Sequence, residues 1–456
     1  MYRSEDSPGL RRELGLFSAV VLVVANMVGT GIFTTSGFVM AELGDPKALL
    51  WCWLIGGVFA YCGALVYGDL GAMFPEAGGE YVFLRESFGR WAGFLSGWIS
   101  LIVGFSAPIA AAAMAFCAYG FGALGLSGEA GWVFTVKEAP VFSLTDRSLA
   151  AAFVIFLISL LHRQGVAFGT RVQNGLTLFK IGLIAIFVVA GFWAGSGSSA
   201  HFAADDFSFS LLDTRFAVSL IFVSFAYSGW NAAAYLGGEI RQPARNIPMA
   251  MGIGTIAVVC LYLLLNILFV YALPPESMAG AFDVGLLAAT HLFGETFGRL
   301  FSGAIAIGLL SVLSAMIMAG PRVYYAMAKD RVFFARFGRV DPAANTPAAA
   351  VALQGVIAVL LVLTASFEAL LIYIGFTLSL FAAMTVAGWI RLRIRKKLNN
   401  GFVRTAAAVF FVAGNLWIMG FSLASRPAAA GFGLATLGAG LAVYLYFSHK
   451  QRKSPG

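Results

Sequence analysis

Apolar runs long enough to cross a membrane recur along almost the whole chain. Twelve can be counted, and we number them segments 1 to 12: residues 14–40, 48–73, 91–121, 149–162, 175–195, 215–238, 249–272, 300–327, 347–365, 368–390, 404–424 and 430–448. A membrane-spanning helix needs about 20 predominantly apolar residues. The pattern therefore predicts an all-α membrane protein with twelve transmembrane helices.

Segments 1 and 6 each contain glycine where a continuous helix disfavours it. Segment 1 carries Gly29 and Gly31 on either side of Thr30, and segment 6 carries Gly229 within the string SFAYSGWN. Each glycine costs about 1 kcal/mol relative to alanine inside a helix. Matching breaks in two halves are typical of transporters built from inverted repeats, whose substrate site lies at the breaks. A small-residue face for close helix packing is the alternative, and the residues alone leave both open.

The spacing of these two segments divides the chain into three units. Segments 1 to 5, at residues 14–195, form the predicted first repeat, and segments 6 to 10, at residues 215–390, form the second. Segments 11 and 12, at residues 404–448, are then accessory helices. Long connections follow segments 3 and 7, and the second contains Ala281 to Phe293, which is apolar enough for a re-entrant or interfacial helix.

Composition agrees with a protein embedded in a lipid bilayer. The chain is 60% hydrophobic and 11% charged, which excludes an ordinary soluble globular domain. Its net charge of +8 could indicate a nucleic-acid partner, but a cytoplasmic N-terminus would place 24 of the 30 basic residues on the cytoplasmic side. That bias is the positive-inside pattern. We therefore predict no nucleic-acid partner, a location in the cell's inner (cytoplasmic) membrane and two cytoplasmic termini.

Other function classes lack their characteristic residues. All four cysteines lie within apolar runs and the four histidines are scattered, so the sequence predicts no metal site, no cofactor and no catalytic cluster. A channel would show a repeated filter sequence or rings of charge, and neither is apparent. The expectation is a protein that is not an enzyme.

Lys180 stands alone within the apolar run of segment 5. An ionisable side chain inside a membrane helix is costly enough to mark a functional candidate. Lys180 is also only about 8 Å along the helix axis from Gly175, so its amine could instead snorkel to the cytoplasmic interface. The residues alone favour neither interpretation.

Four stretches carry a resemblance to a known family: NMVGTGIF from Asn26, FPEAGGEYVFLRESFG from Phe74, SFAYSGWNAAAYLGGEIRQPARNIPMA from Ser224 and GPRVYYAMAKD from Gly320. They resemble signature stretches of the amino-acid/polyamine/organocation (APC) transporter superfamily, and the chain is most similar to bacterial relatives of the L-type amino-acid transporters. The likeness covers essentially the whole chain. It implies a LeuT-like 5+5 inverted repeat with broken helices 1 and 6, plus two C-terminal helices.

The resemblance implies a substrate site at the two breaks. The N–H groups and dipole of the half-helix after the first break would hold a carboxylate, and carbonyls at other half-helix ends would hold an ammonium group. An aromatic at the position of Phe225 closes over the substrate in the family, although lipid-facing bulk is the alternative. Asn231 would shape the pocket or simply bond between helices. The candidate substrate-binding residues are Val28, Gly29, Thr30, Gly31, Phe225, Ala226, Tyr227, Ser228, Gly229 and Asn231.

Other residues are candidates for coupling and gating, and the resemblance bears on the first of them. Lys180 matches a fifth-helix lysine that replaces a sodium ion near the first break. Ser311 and Ser314 are candidate supports for its amine, although serines commonly bond back to their own helix. Asp69, Glu239 and Arg322 are candidates for an inner gate, and solvated interfacial charges are the alternative. These assignments predict transport without sodium.

Together these features predict a secondary transporter that works by alternating access. It would move small or medium neutral L-amino acids, as an exchanger or a proton-coupled symporter, and act as a monomer or weak oligomer. A cationic amino-acid or polyamine transporter is one alternative, but it would be expected to place a carboxylate in the pocket, and none is evident in the sequence. A non-transporting membrane sensor of the same fold is the other.

Overall fold

The computed structural model describes residues 11–453, with gaps at 127, 129, 137–138, 164–165, 203–212, 343, 365–366, 397–400 and 426. Helices account for most of this length. They are α1 Leu16–Met27, α2 Gly31–Leu43, α3 Pro46–Met73, α4 Glu80–Phe88, α5 Arg90–Ile99, α6 Ala107–Ala123, α7 Asp146–His162, α8 Val166–Ala194, α9 Thr214–Ala226, α10 Ala232–Tyr235, α11 Pro243–Ala272, α12 Pro275–Met278, α13 Val284–Phe293, α14 Glu295–Ala319, α15 Pro321–Lys329, α16 Ala348–Thr364, α17 Phe367–Lys396, α18 Gly401–Ser425 and α19 Pro427–Lys453.

Shorter elements join these helices. A π-helical stretch, Ser100–Ser106, connects α5 to α6 without interrupting the span, and 3₁₀ turns occur at Ser199–Phe202, Gly237–Glu239 and Ala335–Gly338. Strands β1 (Gly131–Val136) and β2 (Ala139–Thr145) form an antiparallel hairpin in the long connection between segments 3 and 4. The sequence analysis did not predict these strands.

Each of the twelve predicted segments coincides with helix. Within the described residues, nine helical runs are long and apolar enough to cross a membrane, which makes the chain a multi-pass membrane protein. The other three segments, 4, 6 and 9, contain the shorter helices α7, α9 and α16. The count of twelve crossings and the division into two repeats stay predictions. The stretch expected to form a re-entrant or interfacial helix contains α13.

The two glycine-containing segments are both interrupted. In segment 1, α1 ends at Met27, Val28 leaves the helical conformation with ψ at 86°, and α2 begins at Gly31. In segment 6, α9 ends at Ala226 and α10 begins at Ala232. Gly229 lies between them with φ at +101°, a conformation that L-residues with a Cβ atom rarely adopt. The broken helices expected in segments 1 and 6 are therefore present.

The interrupted segments lie in the interior of the helix bundle. α1 packs against α8, α11 and α14, and every residue from Val21 to Met27 is buried. α9 packs against α2, α3, α17 and α18. Because both breaks are surrounded by other helices, backbone groups released from the helical ladder face protein and not lipid, which is the condition for such breaks at membrane depth.

Candidate functional site

The two helix breaks meet each other directly. The Nδ2 of Asn26 donates a hydrogen bond to the carbonyl oxygen of Gly229 across 3.3 Å. A Cβ atom built on Gly31 would lie only 2.6 Å from the Cα of Ala226, so a glycine is needed for this approach. The start of α2 and the end of α9 are therefore in contact.

Tyr262 of α11 joins the two breaks from one side. Its hydroxyl lies 2.7 Å from the carbonyl oxygen of Met27 and 3.1 Å from that of Ala226, so one hydroxyl hydrogen is shared between both broken segments. The side chain is fully buried. The sequence analysis did not select this residue, because a tyrosine in the middle of an apolar run cannot be told from any other large packing side chain.

Lys180 reaches the first break from α8. Its Nζ donates to the carbonyl oxygen of Ala25 at 3.2 Å and to that of Val28 in a shorter contact. The side chain is 2% exposed. The amine therefore lies against the freed carbonyls and does not extend to a helix end, as snorkelling would require. Its role in coupling stays a prediction.

Ser314, one of the predicted supports for this amine, has a different partner. Its hydroxyl pairs with Nε2 of His162 at 2.8 Å, and both side chains are buried. The contribution of α14 to Lys180 is instead packing at Gly308, where an added Cβ would lie 3.2 Å from Cγ of the lysine. His162, which the sequence placed at a segment end, is thus part of the interior between α7 and α14.

The ends of α2 and α9 offer opposite partial charges at their contact. The N–H groups of Gly31 and Ile32 lie in the first turn of α2, where a helix has no carbonyl of its own four residues earlier. The last carbonyls of α9 accept hydrogen bonds from beyond that helix: those of Val223 and Phe225 from N–H groups of the following turn, and that of Ala226 from the Tyr262 hydroxyl. Each carbonyl oxygen has a second lone pair that can accept another donor. The helix dipoles add a positive end at α2 and a negative end at α9. The partial charges of this arrangement favour a carboxylate near the start of α2 and an ammonium group near the end of α9.

A cavity of about 90 Å³ lies along the second break, between α3, α9, α17 and α18. Among the candidate site residues, those that line it belong to segment 6: Phe225, Tyr227, Ser228, Gly229 and Asn231. The lining also includes residues that sequence reasoning did not select, among them Glu80, Trp230, Ser379 and Asn415. The first-break candidates, Val28 to Gly31, are not in this lining; they lie with Lys180 and Ala226.

Glu80 is the main polar residue that the sequence analysis missed. Its Oε1 accepts a hydrogen bond from the Tyr67 hydroxyl at 2.7 Å and from Nδ2 of Asn231 at 3.0 Å, and the residue is 6% exposed. The expectation that no carboxylate lies at the pocket is therefore wrong for this cavity. The available signal was the pair Gly78–Gly79, whose positive φ angles of 122° and 51° mark a tight turn directly before Glu80.

Two of the three predicted gate residues form a buried ion pair. Arg322 donates from Nε to Oε1 of Glu239 at 2.7 Å and from Nη2 to Oε2 at 3.1 Å, with side chains 2% and 0% exposed. This burial excludes solvated interfacial charges for the pair. Asp69 lies elsewhere and pairs with Nε of Arg404 on α18 at 3.3 Å. The structure therefore does not bring the three candidates together.

A second ionic cluster, which the sequence did not reveal, joins α4 to the end of α15. Arg85 contacts Asp330 in a short ion pair and also binds Glu76 at 3.1 Å. The Tyr81 hydroxyl donates to Oδ2 of Asp330 at 2.5 Å. Burial, together with this neighbouring carboxylate, raises the pKa of the Tyr81 phenol, so the phenol keeps its proton and serves as a donor.

Comparison with known proteins extends these observations. A family model described as amino acid permease matches residues 14–444. The chain is 30% identical to the serine/threonine exchanger SteT of Bacillus subtilis (strain 168), over 99% of both chains. It is 28% identical to the human large neutral amino acids transporter small subunit 2, over 97% of this chain and 82% of the relative. It is 29% identical to the mouse b(0,+)-type amino acid transporter 1, over 85% of this chain and 77% of the relative.

Proposed function

Because this chain belongs to the amino acid permease family, we propose that it is a secondary transporter of small or medium neutral L-amino acids. It is a transporter and not an enzyme, and it works by alternating access in the cytoplasmic membrane with both termini in the cytoplasm. The observation that carries the proposal is the contact between Gly31 at the start of α2 and Ala226 at the end of α9.

This contact suits the two ends of an amino acid. The substrate carboxylate binds the N–H groups at the start of α2, and its ammonium group binds the carbonyls at the end of α9. Both partners are backbone groups held in place by Tyr262 and by the hydrogen bond from Asn26. Every L-amino acid has these two charged ends, so the site recognises the class, and selection among side chains falls to the segment 6 cavity.

The residues around the cavity favour neutral side chains. Its lining is mostly apolar or uncharged, and Oε1 of Glu80 already accepts hydrogen bonds from Tyr67 and Asn231. The names of the relatives, a serine/threonine exchanger and transporters of large neutral amino acids, point the same way. Glu80 is also the observation that favours the second candidate, a carrier of cationic amino acids or polyamines.

The Lys180 amine supports transport without sodium. It is held by the carbonyls of Ala25 and Val28, and a sodium ion at these carbonyls would compete with it for the same oxygen atoms. The chain then works by exchange, or by symport with protons if the amine releases its proton during the cycle.

We assign residues 14–195 and 215–390 to the two inverted repeats and residues 404–448 to accessory helices. The functional unit is a monomer or weak oligomer.

Counterflow in liposomes tests the proposal. Purified protein is reconstituted into vesicles that are empty or loaded with unlabelled serine, leucine or arginine, and uptake of the labelled amino acid is followed with and without sodium and a pH gradient. Loaded vesicles should accumulate the neutral amino acids faster than empty ones, independently of sodium. A preference for arginine would support the cationic candidate. If no amino acid gave counterflow, transport would be refuted, and a non-transporting membrane sensor would be the remaining interpretation.

A further inference from the structure

The position of Glu80 determines how the neighbouring Asn231 amide is oriented. Oε1 of Glu80 accepts the Asn231 Nδ2 at 3.0 Å, in addition to the Tyr67 hydroxyl at 2.7 Å. The amide of Asn231 thus turns its NH₂ group, and not its carbonyl oxygen, toward Glu80.

Both N–H groups of this amide have acceptors. One points to Glu80, and the other points to the Tyr235 hydroxyl at 3.3 Å. The carbonyl oxygen, Oδ1, lies at the opposite corner of the same planar group, and among the described residues no donor is recorded for it. Because Asn231 lines the segment 6 cavity, this oxygen is the acceptor that the amide can offer to a bound molecule.

We propose that Glu80 is a positioning residue, which holds Asn231 with its carbonyl oxygen toward the cavity. The consequence is a preference for small amino acids with a hydroxyl side chain over aliphatic ones of similar size, since only the former can donate to Oδ1. This inference rests on the proposed transport function and adds the basis on which the protein selects among amino acids.

The size and place of the cavity fit a short hydroxyl side chain. Its volume of about 90 Å³ is enough for the few non-hydrogen atoms of such a side chain. Gly229 lines the cavity and also contacts Asn26 at the meeting of the two breaks. A substrate whose carboxylate and ammonium groups are held at the two breaks extends its side chain along segment 6 toward Asn231.

Serine and alanine form the matched pair of substrates for the test, because they differ by one hydroxyl group. In reconstituted wild-type protein, kcat/KM should favour serine by about fivefold, the factor provided by one neutral hydrogen bond. Glu80→Ala should bring this ratio close to one while alanine transport continues. Glu80→Gln should keep most of the ratio, because its amide oxygen can accept the same bond. The control Tyr67→Phe removes the other donor to Glu80 and should also keep the ratio.

Several results would overturn the positioning role. If Glu80→Ala slowed both substrates equally and left the serine-to-alanine ratio of kcat/KM unchanged, Glu80 would be only a structural contact. A selective loss of arginine transport in that variant would make the carboxylate a binding group for cationic side chains. If Glu80→Ala does not yield monodisperse protein, Asn231→Ala takes its place, because it removes the acceptor itself. An unchanged serine-to-alanine ratio in Asn231→Ala would also contradict the positioning role. A ratio near one in the wild type refutes this inference alone, whereas absent counterflow refutes the transport proposal.

Discussion

A Cβ atom added at Gly31 would lie 2.6 Å from the Cα of Ala226, whereas one added at Gly29 would lie 3.5 Å from the side chain of Val312. The first contact is with backbone and cannot relax without separating the two breaks, and the second is an ordinary van der Waals contact. These neighbouring glycines therefore have different importance for the site.

We predict that Gly31→Ala lowers counterflow at least about fivefold, because overpacking of this size costs about 1–3 kcal/mol. Gly29→Ala, the matched control, should keep at least half of the wild-type rate. Both variants are compared in liposomes at equal amounts of reconstituted protein. Equal loss in the two variants would show that the contact with Ala226 is not the critical one.

Lys180 is the second residue whose surroundings make a specific prediction. Lys180→Ala removes the donor to the carbonyls of Ala25 and Val28, and a buried acceptor left without a partner costs about 1–3 kcal/mol. Uptake should fall at least about fivefold while the protein remains in the membrane fraction. The control is Arg171→Ala, which removes an exposed cation from the same helix, α8. Uptake equal to wild type in Lys180→Ala would exclude a role for the amine.

At the scale of elements, the buried Arg322–Glu239 pair ties α15 to the 3₁₀ turn that follows α10. Both carboxylate oxygens of Glu239 are used, and Nη1 of Arg322 also donates to the carbonyl oxygen of Met318 at 2.6 Å. Removing one partner of such a pair leaves an uncompensated charge in a buried place. That penalty is typically about 3–5 kcal/mol.

Glu239→Gln should accordingly lower the thermal midpoint of the purified protein in detergent. The matched control is Asp213→Asn, because the Arg215–Asp213 pair has side chains 64% and 35% exposed, and solvent screens the attraction within an exposed pair. A thermal-shift assay compares the two variants with wild type. The prediction fails if both substitutions shift the midpoint by the same amount.

For the whole molecule, the predicted orientation places connections after odd-numbered segments outside and those after even-numbered segments inside. The β-hairpin follows segment 3, and the turn Ala335–Gly338 follows segment 8. Val133 on β1 is 51% exposed, and Arg336 in the turn is also exposed, so a cysteine at either position can react.

We expect Val133→Cys to be labelled by a membrane-impermeant maleimide in intact cells, and Arg336→Cys only after permeabilisation. Both are made in a variant in which Cys52, Cys62, Cys117 and Cys260 are replaced by alanine, which also serves as the unlabelled control. The reverse pattern would invert the orientation of the whole chain. Identical labelling at both sites would contradict an odd number of crossings between them.

The sequence by itself determined the class of the molecule and the places where its helices break. A continuous apolar run indicates a segment buried in lipid, and a glycine indicates a local backbone conformation. Both features can therefore be recognised from a short stretch of sequence. All twelve predicted segments coincide with helix, and both breaks fall at the glycines of segments 1 and 6. The family likeness then singled out Lys180 from the other basic residues.

Only the tertiary structure decided which side chains meet. Asn231 and Glu80 are separated by 151 residues in the chain, and Lys180 and Val28 by 152. Asp69 and Ser314 have partners, Arg404 and His162, that no periodicity relates to them. A repeating pattern reveals which face of a helix is buried, but the neighbour that covers this face is set by how the helices pack. The pocket chemistry of this protein is therefore a property of its fold.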